Sequence, residues 1–262
     1  MLSPMTKSHL QSPTPQPDVS TLPPHPPIPG YYETPASKQE FLNRIFDETA
    51  ADYDKVEQYL SLGTGGWYRR QALRNAGLKP GMRLADVAIG TGLVALEAVT
   101  IMGSGANIVG IDPSSEMLSR ARERLGIETV VARAEALPFD SATFDFVSMG
   151  YALRHVESFD AAFREFFRVL KPGGRVCILE ITRPKTRVGK AFFRAYTKLP
   201  RLISKITTLA PRTPELWTYY WETIDGCLPP EHVLRALSTA GFSEIERQVS
   251  LGIFSEYVAT KH

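Results

Sequence analysis

The residues best placed to do chemistry lie between Leu84 and Asp112. An apolar run, LADVA, carries an acid at Asp86 and leads into the turn Gly90-Thr91-Gly92, after which Leu93 to Val99 reads as a helix. Glycines at such a strand-to-helix turn let backbone amides approach a ligand closely. A second acid, Asp112, closes the next apolar strand, twenty residues after Gly92. A doubly wound fold places there the group that holds ribose hydroxyls. This is the pattern of a nucleoside-cofactor site, and it implies an enzyme. Gly90-x-Gly92-x-x-Ala95 also satisfies the dinucleotide fingerprint, so Asp86 has to discriminate. A carboxylate four residues before Gly90 would repel a pyrophosphate, whereas it favours the sulfonium and ammonium of S-adenosylmethionine. The expected cofactor is therefore S-adenosylmethionine. An NAD-dependent oxidoreductase is the more distant reading.

The elements that must position these residues follow from periodicity. Strands are read at Arg83–Ala88, Asn107–Ile111, Glu128–Ala132, Phe144–Gly150 and Arg175–Ile181, and helices at Leu93–Ile101, Ser115–Leu125 and Asp160–Leu170. Lys171-Pro172-Gly173-Gly174 stops the last of these helices. Two strands joined by Leu251-Gly252-Ile253 end the chain. Such alternation predicts an α/β fold: a mostly parallel, seven-stranded, Rossmann-like sheet with helices on both faces and a C-terminal antiparallel hairpin. Its ligand rim, at the carboxyl ends of the strands, collects Asp86, Asp112, the loop Arg133–Phe139 and the loop Gly150–His155.

Before the sheet, Phe41, Leu42, Ile45, Phe46, Ala50 and Tyr53 recur at helical spacing, and residues 35–78 are expected to form a helical lid. Residues 1–34, with Pro23-Pro24-His25-Pro26-Pro27, read as a disordered or extended tail outside a single domain over 35–262. Residues 183–228 read as a substrate-cap insertion. Within it, 183–212 hold nine Lys or Arg and no acid, interleaved with Phe, Leu and Ile, which suits a peripheral contact with an anionic membrane or an apolar substrate. A net charge of +2 over 262 residues argues against nucleic acid, and no apolar run nears the ~20 residues of a membrane span. The two cysteines suggest neither a disulfide nor a metal site, and a cytoplasmic location, peripheral at a membrane, is expected.

RAEALPF at 133–139, FDFV at 144–147, GYALRHV at 150–156, RVLKPGG at 168–174 and FDETAADYDKVEQYLSLGTGGWYRR at 46–70 resemble the ubiquinone/menaquinone-biosynthesis C-methyltransferases, over about 41–262. The resemblance implies a class I methyltransferase fold, S-adenosylmethionine as donor, and methylation of a ring carbon of a quinol or related aromatic. It implies Asp112 at the ribose, Ala134 with Arg133 and Glu135 at the adenine, and Tyr53 and Arg154 facing the reaction centre. The other cofactor contacts expected along this rim are Asp86, Gly90, Thr91, Gly92, Pro113, Met117 and Met149.

The chain departs from the family pattern at Gly65-Gly66 (usually His-Arg), at Glu57 and His155 (usually Asn), and at Arg133 (usually Asn). His155 is a candidate base or phenolate partner from its chemistry alone. The departures leave open O-methylation of a phenolic compound and a non-catalytic assembly subunit that binds the cofactor. A homodimer is likewise left open.

Overall fold

The computed structural model describes residues 23–60, 63–184, 187, 189 and 213–262. Its sheet has seven strands in the order β3-β2-β1-β4-β5-β7-β6. These are β1 (Leu84–Val87), β2 (Ile108–Asp112), β3 (Glu128–Val131), β4 (Phe144–Gly150), β5 (Leu170–Ile181), β6 (Ser243–Ser250) and β7 (Phe254–Thr260). The first five pair in parallel, and β7 runs antiparallel to both β5 and β6. The order reverses between β1 and β4, which opens a crevice at their carboxyl ends.

Side-chain alternation divides the core in two. Ala85, Val87, Val109, Ile111, Val147 and Met149 face one layer, where α5 (Phe159–Val169) and α7 (Pro230–Thr239) cover them. Leu84, Ile108, Phe146, Cys177 and Leu179 face the other, under α2 (Gly65–Asn75), α3 (Leu93–Met102) and α4 (Ser115–Leu125). The amphipathic α5 shows why such helices form. Phe159, Ala162, Phe163, Phe166 and Val169 make one buried stripe, and the Ser158 hydroxyl caps the helix by accepting from the Ala161 amide. Each buried phenylalanine ring stabilises the fold by about 1.5–3 kcal/mol through leaving water.

The helix does stop before Lys171–Gly174, and those four residues are part of β5. Phe144 pairs with Leu170 and Phe146 with Arg175, so these four residues form a bulge in a strand that begins directly after the helix.

A third cluster joins α1 (Pro35–Leu60), α6 (Thr213–Gly226) and the segment before α1: Tyr32, Phe41, Leu42, Ile45, Leu216, Tyr219 and Tyr220. The sequence places residues up to 34 in an extended tail. Of that tail, residues 1–22 lie outside the described residues, and the stretch from Pro24 to Tyr32 is a strap packed on the domain. Pro24 accepts from the Leu228 amide at 2.7 Å, and His25 and Tyr32 are buried. Proline-rich composition cannot build a core, but a docked strap needs only a few anchors on a core that already exists. The basic stretch 183–212 lies outside the described residues except at 183, 184, 187 and 189. Among the described residues no helix is long and apolar enough to cross a membrane.

Candidate functional site

A cleft enclosing about 780 Å³, its open mouth included, lies where β1 and β4 end, with α1 across it. Two rim residues, Ala88 after β1 and Tyr151 after β4, hold left-handed backbone conformations, φ +54° and +59°. Such conformations disfavour a side chain and persist only where packing enforces them. Both line the cleft.

Asp112 anchors the wall. Its Oδ2 accepts from the Gly90 amide and its Oδ1 from the Ser114 amide, each at 2.9 Å. These bonds tie the glycine turn to the end of β2. Burial raises the pKa of this carboxyl to about 6, against the pull of the two amides. Pro113, Met117, Ala134 and Met149 make the adjoining wall apolar. An acceptor carboxylate beside this apolar wall suits a ribose diol next to an adenine.

Of the expected cofactor contacts, Gly90, Asp112, Pro113, Met117, Arg133, Ala134, Glu135 and Met149 line the cleft, whereas Asp86, Thr91 and Gly92 do not. Asp86 is fully buried on the α2–α4 side of the sheet and accepts from the Ser148 hydroxyl at 2.6 Å. Burial pushes its pKa to about 7. Two more residues, Val87 and Ala88, lie between it and the rim. Gly92 serves packing: it takes φ +88° at the start of α3, and a Cβ there would stand 3.0 Å from Leu125 Cδ1. Thr91 serves the lid. Its hydroxyl donates to Asp54 Oδ1 at 2.5 Å, and Asp54 also pairs with Arg124 of α4. One face of α1 grips again at Asp47, which accepts from the Ser114 hydroxyl at 2.5 Å. Asp54→Ala is expected to loosen α1. The Asp54–Arg124 pair is partly exposed, so the loss is about 0.5–1 kcal/mol, or about two- to fivefold faster hydrogen exchange in the helix. Unchanged exchange would show that the latch does not hold the lid.

The other end of the cleft is aromatic, lined by Phe46, Tyr53, Tyr151, Tyr220 and His155. Phe46 meets His155 edge-on, with ring centroids 5.4 Å apart. Tyr53 and His155 thus both line the cleft. Arg154 does not. The 3₁₀ turn Leu153–His155 directs its guanidinium under the rim to Glu180 of β5, with Nη1 2.6 Å from Oε1 and 2.7 Å from the Tyr151 carbonyl. Both charged side chains are 3% exposed. Arg154 meets the cleft wall at the Tyr220 ring, whose centroid lies 4.8 Å from its guanidinium carbon. His155 is held neutral: burial and the nearby Arg154, Lys38 and His25 depress its pKa well below 6.5. Lys38 is itself buried, donates to the Val156 carbonyl at 3.0 Å, and is lowered to about 8.

Sequence reasoning misses several lining residues, among them Gln39, Asn43, Ser114 and Tyr220. Phe46 and Leu42 belong to the apolar stripe already visible in α1; for Tyr220 no local signal exists. At Gly66 of the glycine pair 65–66 the one close neighbour is the end of a flexible side chain, which can give way. A Cβ on Gly66 would stand 2.6 Å from Oε1 of Glu97, a buried acid that pairs with Arg70.

The ubiE/COQ5 methyltransferase family model matches residues 34–261. The chain is 34% identical to the demethylmenaquinone methyltransferase of Symbiobacterium thermophilum over 89% of this chain and 98% of that protein. It is 32% identical to the ubiquinone/menaquinone biosynthesis C-methyltransferase UbiE of Shewanella woodyi, over 82% and 88% respectively. Among solved structures, it is similar to a methyltransferase of Thermotoga maritima described as a possible histamine N-methyltransferase. The TM-score is 0.60 at 20% identity, over 84% of this chain and 99% of that one, a likeness of fold.

Proposed function

The chain belongs to the ubiE/COQ5 methyltransferase family, and on that premise we propose that its cleft methylates a ring carbon of a quinol or closely related hydroxylated aromatic. That it is an S-adenosylmethionine-dependent methyltransferase follows from the family. The bound donor supplies an electrophilic methyl group on a sulfonium. The chain's own residues do the rest. Asp112 holds the ribose, and Pro113, Met117 and Ala134 enclose the adenine.

The observation that carries the acceptor reading is the aromatic end of the cleft: Phe46, Tyr53 and Tyr220 offer faces and edges to a flat ring and keep water from it. His155 stands on the same wall as the polar group for a ring hydroxyl. The named relatives act on quinone precursors, which supports the same class. The cations of 183–212, interleaved with apolar residues, support a peripheral contact with anionic lipid, the phase that holds a prenylated acceptor.

The experiment supplies methyl-labelled donor and demethylmenaquinol in anionic or neutral vesicles to the full chain. Label on a ring carbon, with faster turnover on anionic vesicles that salt suppresses, is the expected result. Label on oxygen would make the enzyme an O-methyltransferase. Equal rates on both vesicles would remove the electrostatic contact. Donor binding without transfer would favour an assembly role.

A further inference from the structure

Three contacts fix how α1 crosses the nucleoside end of the cleft. Thr91, in the glycine turn after β1, donates to Asp54. Ser114, just past β2, donates to Asp47. Lys38 donates to the Val156 carbonyl at 3.0 Å, and the next residue, Glu157, is tied by its amide to Glu135 Oε1 at 2.5 Å. Read from Asp54 back to Lys38, the helix thus passes the ends of β1 and β2 and arrives at the loop that follows β3, in the order in which those strands lie in the sheet. Gln39 and Asn43 fall between Lys38 and Asp47. At a spacing of four they share one face with Asp47. Both are half-buried, and both line the cleft with Arg133, Ala134 and Glu135.

Gln39 Nε2 donates to Asn43 Oδ1 at 2.7 Å, which joins the two carboxamides into one unit. An oxygen, Oε1 of Gln39, is then left for another partner, next to an NH2, that of Asn43. Turning both amides over leaves the same combination, so an acceptor stands beside a donor in either orientation. Adenine carries the complement on its edge: an exocyclic N6 amine that donates, beside a ring nitrogen that accepts. The side chains of the 133–135 loop supply no such pair. Arg133 has donors only and is held by Glu157 Oε2 at 2.6 Å. Glu135 takes the Glu157 amide on one oxygen and faces Arg133 Nε, 3.5 Å away, with the other.

We infer that Gln39 and Asn43 are specificity-determining residues for the methyl donor, their joined amides accepting from the exocyclic amine of the adenine and donating to the ring nitrogen beside it. The inference rests on the reading of the wall at Pro113, Met117 and Ala134 as the adenine slot. A purine with an oxygen in place of the amine sets lone pair against lone pair at the amide oxygen and leaves both unsatisfied. The reading groups belong to the lid, so these bonds form only when α1 is closed. The correct base is therefore also what holds the lid down.

Calorimetry on the full chain compares S-adenosylhomocysteine with S-inosylhomocysteine, in which the 6-amine is replaced by oxygen. The adenosyl compound should bind about tenfold more tightly, and at equal occupancy it should slow hydrogen exchange in α1 more than the inosyl compound does. Gln39→Met keeps the length of the side chain without its amide. It should erase most of the preference by weakening the adenosyl compound alone. Gln39→Glu keeps an acceptor and should keep the preference. Equal binding of the two compounds by the unaltered protein, or a full preference surviving in Gln39→Met, would overturn the inference. Unaltered adenosyl affinity in Asp112→Ala would instead overturn the placement of the nucleoside, and the reading of its base with it.

Discussion

Asp112→Ala is expected to weaken binding of S-adenosylmethionine by about 10- to 100-fold in calorimetry, since a hydrogen bond to a charged group is worth roughly 1.5–3 kcal/mol. The side chain does two jobs. In the proposed role it presents an acceptor to the ribose, and it holds the amides of Gly90 and Ser114, so its loss also frees the glycine turn. Affinity within twofold of the unaltered protein would refute its placement at the ribose. The pH dependence has a definite sign. The carboxyl titrates at about 6 in the fold, above its ordinary 3.8. A raised carboxyl pKa favours folding below 3.8, and that contribution is lost as pH rises through about 6. Cofactor binding needs the carboxylate and so runs the other way. Affinity should fall as pH drops through about 6, with no loss of stability from this group.

Glu180→Ala should be the more damaging change to the fold. It strands the Arg154 guanidinium, 3% exposed, without its carboxylate. Breaking a buried pair from one side costs about 3–5 kcal/mol, a large share of a typical domain's stability. Denaturant unfolding reads the loss directly. Glu180→Gln keeps an acceptor for Arg154 and should lose less. Replacing both partners together with apolar residues should recover most of the stability, because no charge is then left buried. A Glu180→Ala protein as stable as the original would mean that the guanidinium finds another partner or reaches water.

What was legible in the sequence was local. Helix α4 is found at Ser115–Leu125, residue for residue, because its ends are written in its neighbours: the Ser114 hydroxyl accepts from the Met117 amide, and Gly126 closes it at φ +62°. Strand β4, at Phe144–Gly150, is marked by its own apolar run. The spacing of Gly90 and Asp112 likewise puts both on one rim, although it says nothing of the hydrogen bond between them. The orientation of Arg154 was not legible, since it depends on an acid 26 residues away on another strand. Asp86 read as a rim residue because it lies only four residues before Gly90, but Val87 and Ala88 still separate it from the rim and leave it below the floor. The acids of α1 look like an ordinary solvated face, and only the folded chain shows Asp47 and Asp54 meeting Ser114, Thr91 and Arg124.

The grip of α1 has a consequence for traffic. Helix α1 lies over the nucleoside end of the cleft and is fastened to both the glycine turn and the head of α4, so a spent cofactor leaves only after those fastenings part. Release of the spent cofactor is then expected to limit each cycle, which a pre-steady-state burst of methylated product would show. One of the fastenings is an ion pair about one-third exposed on each side, so it slackens with ionic strength. Moderate salt should quicken the exchange of spent for fresh cofactor in this enzyme, even while it weakens the proposed attraction to an anionic surface.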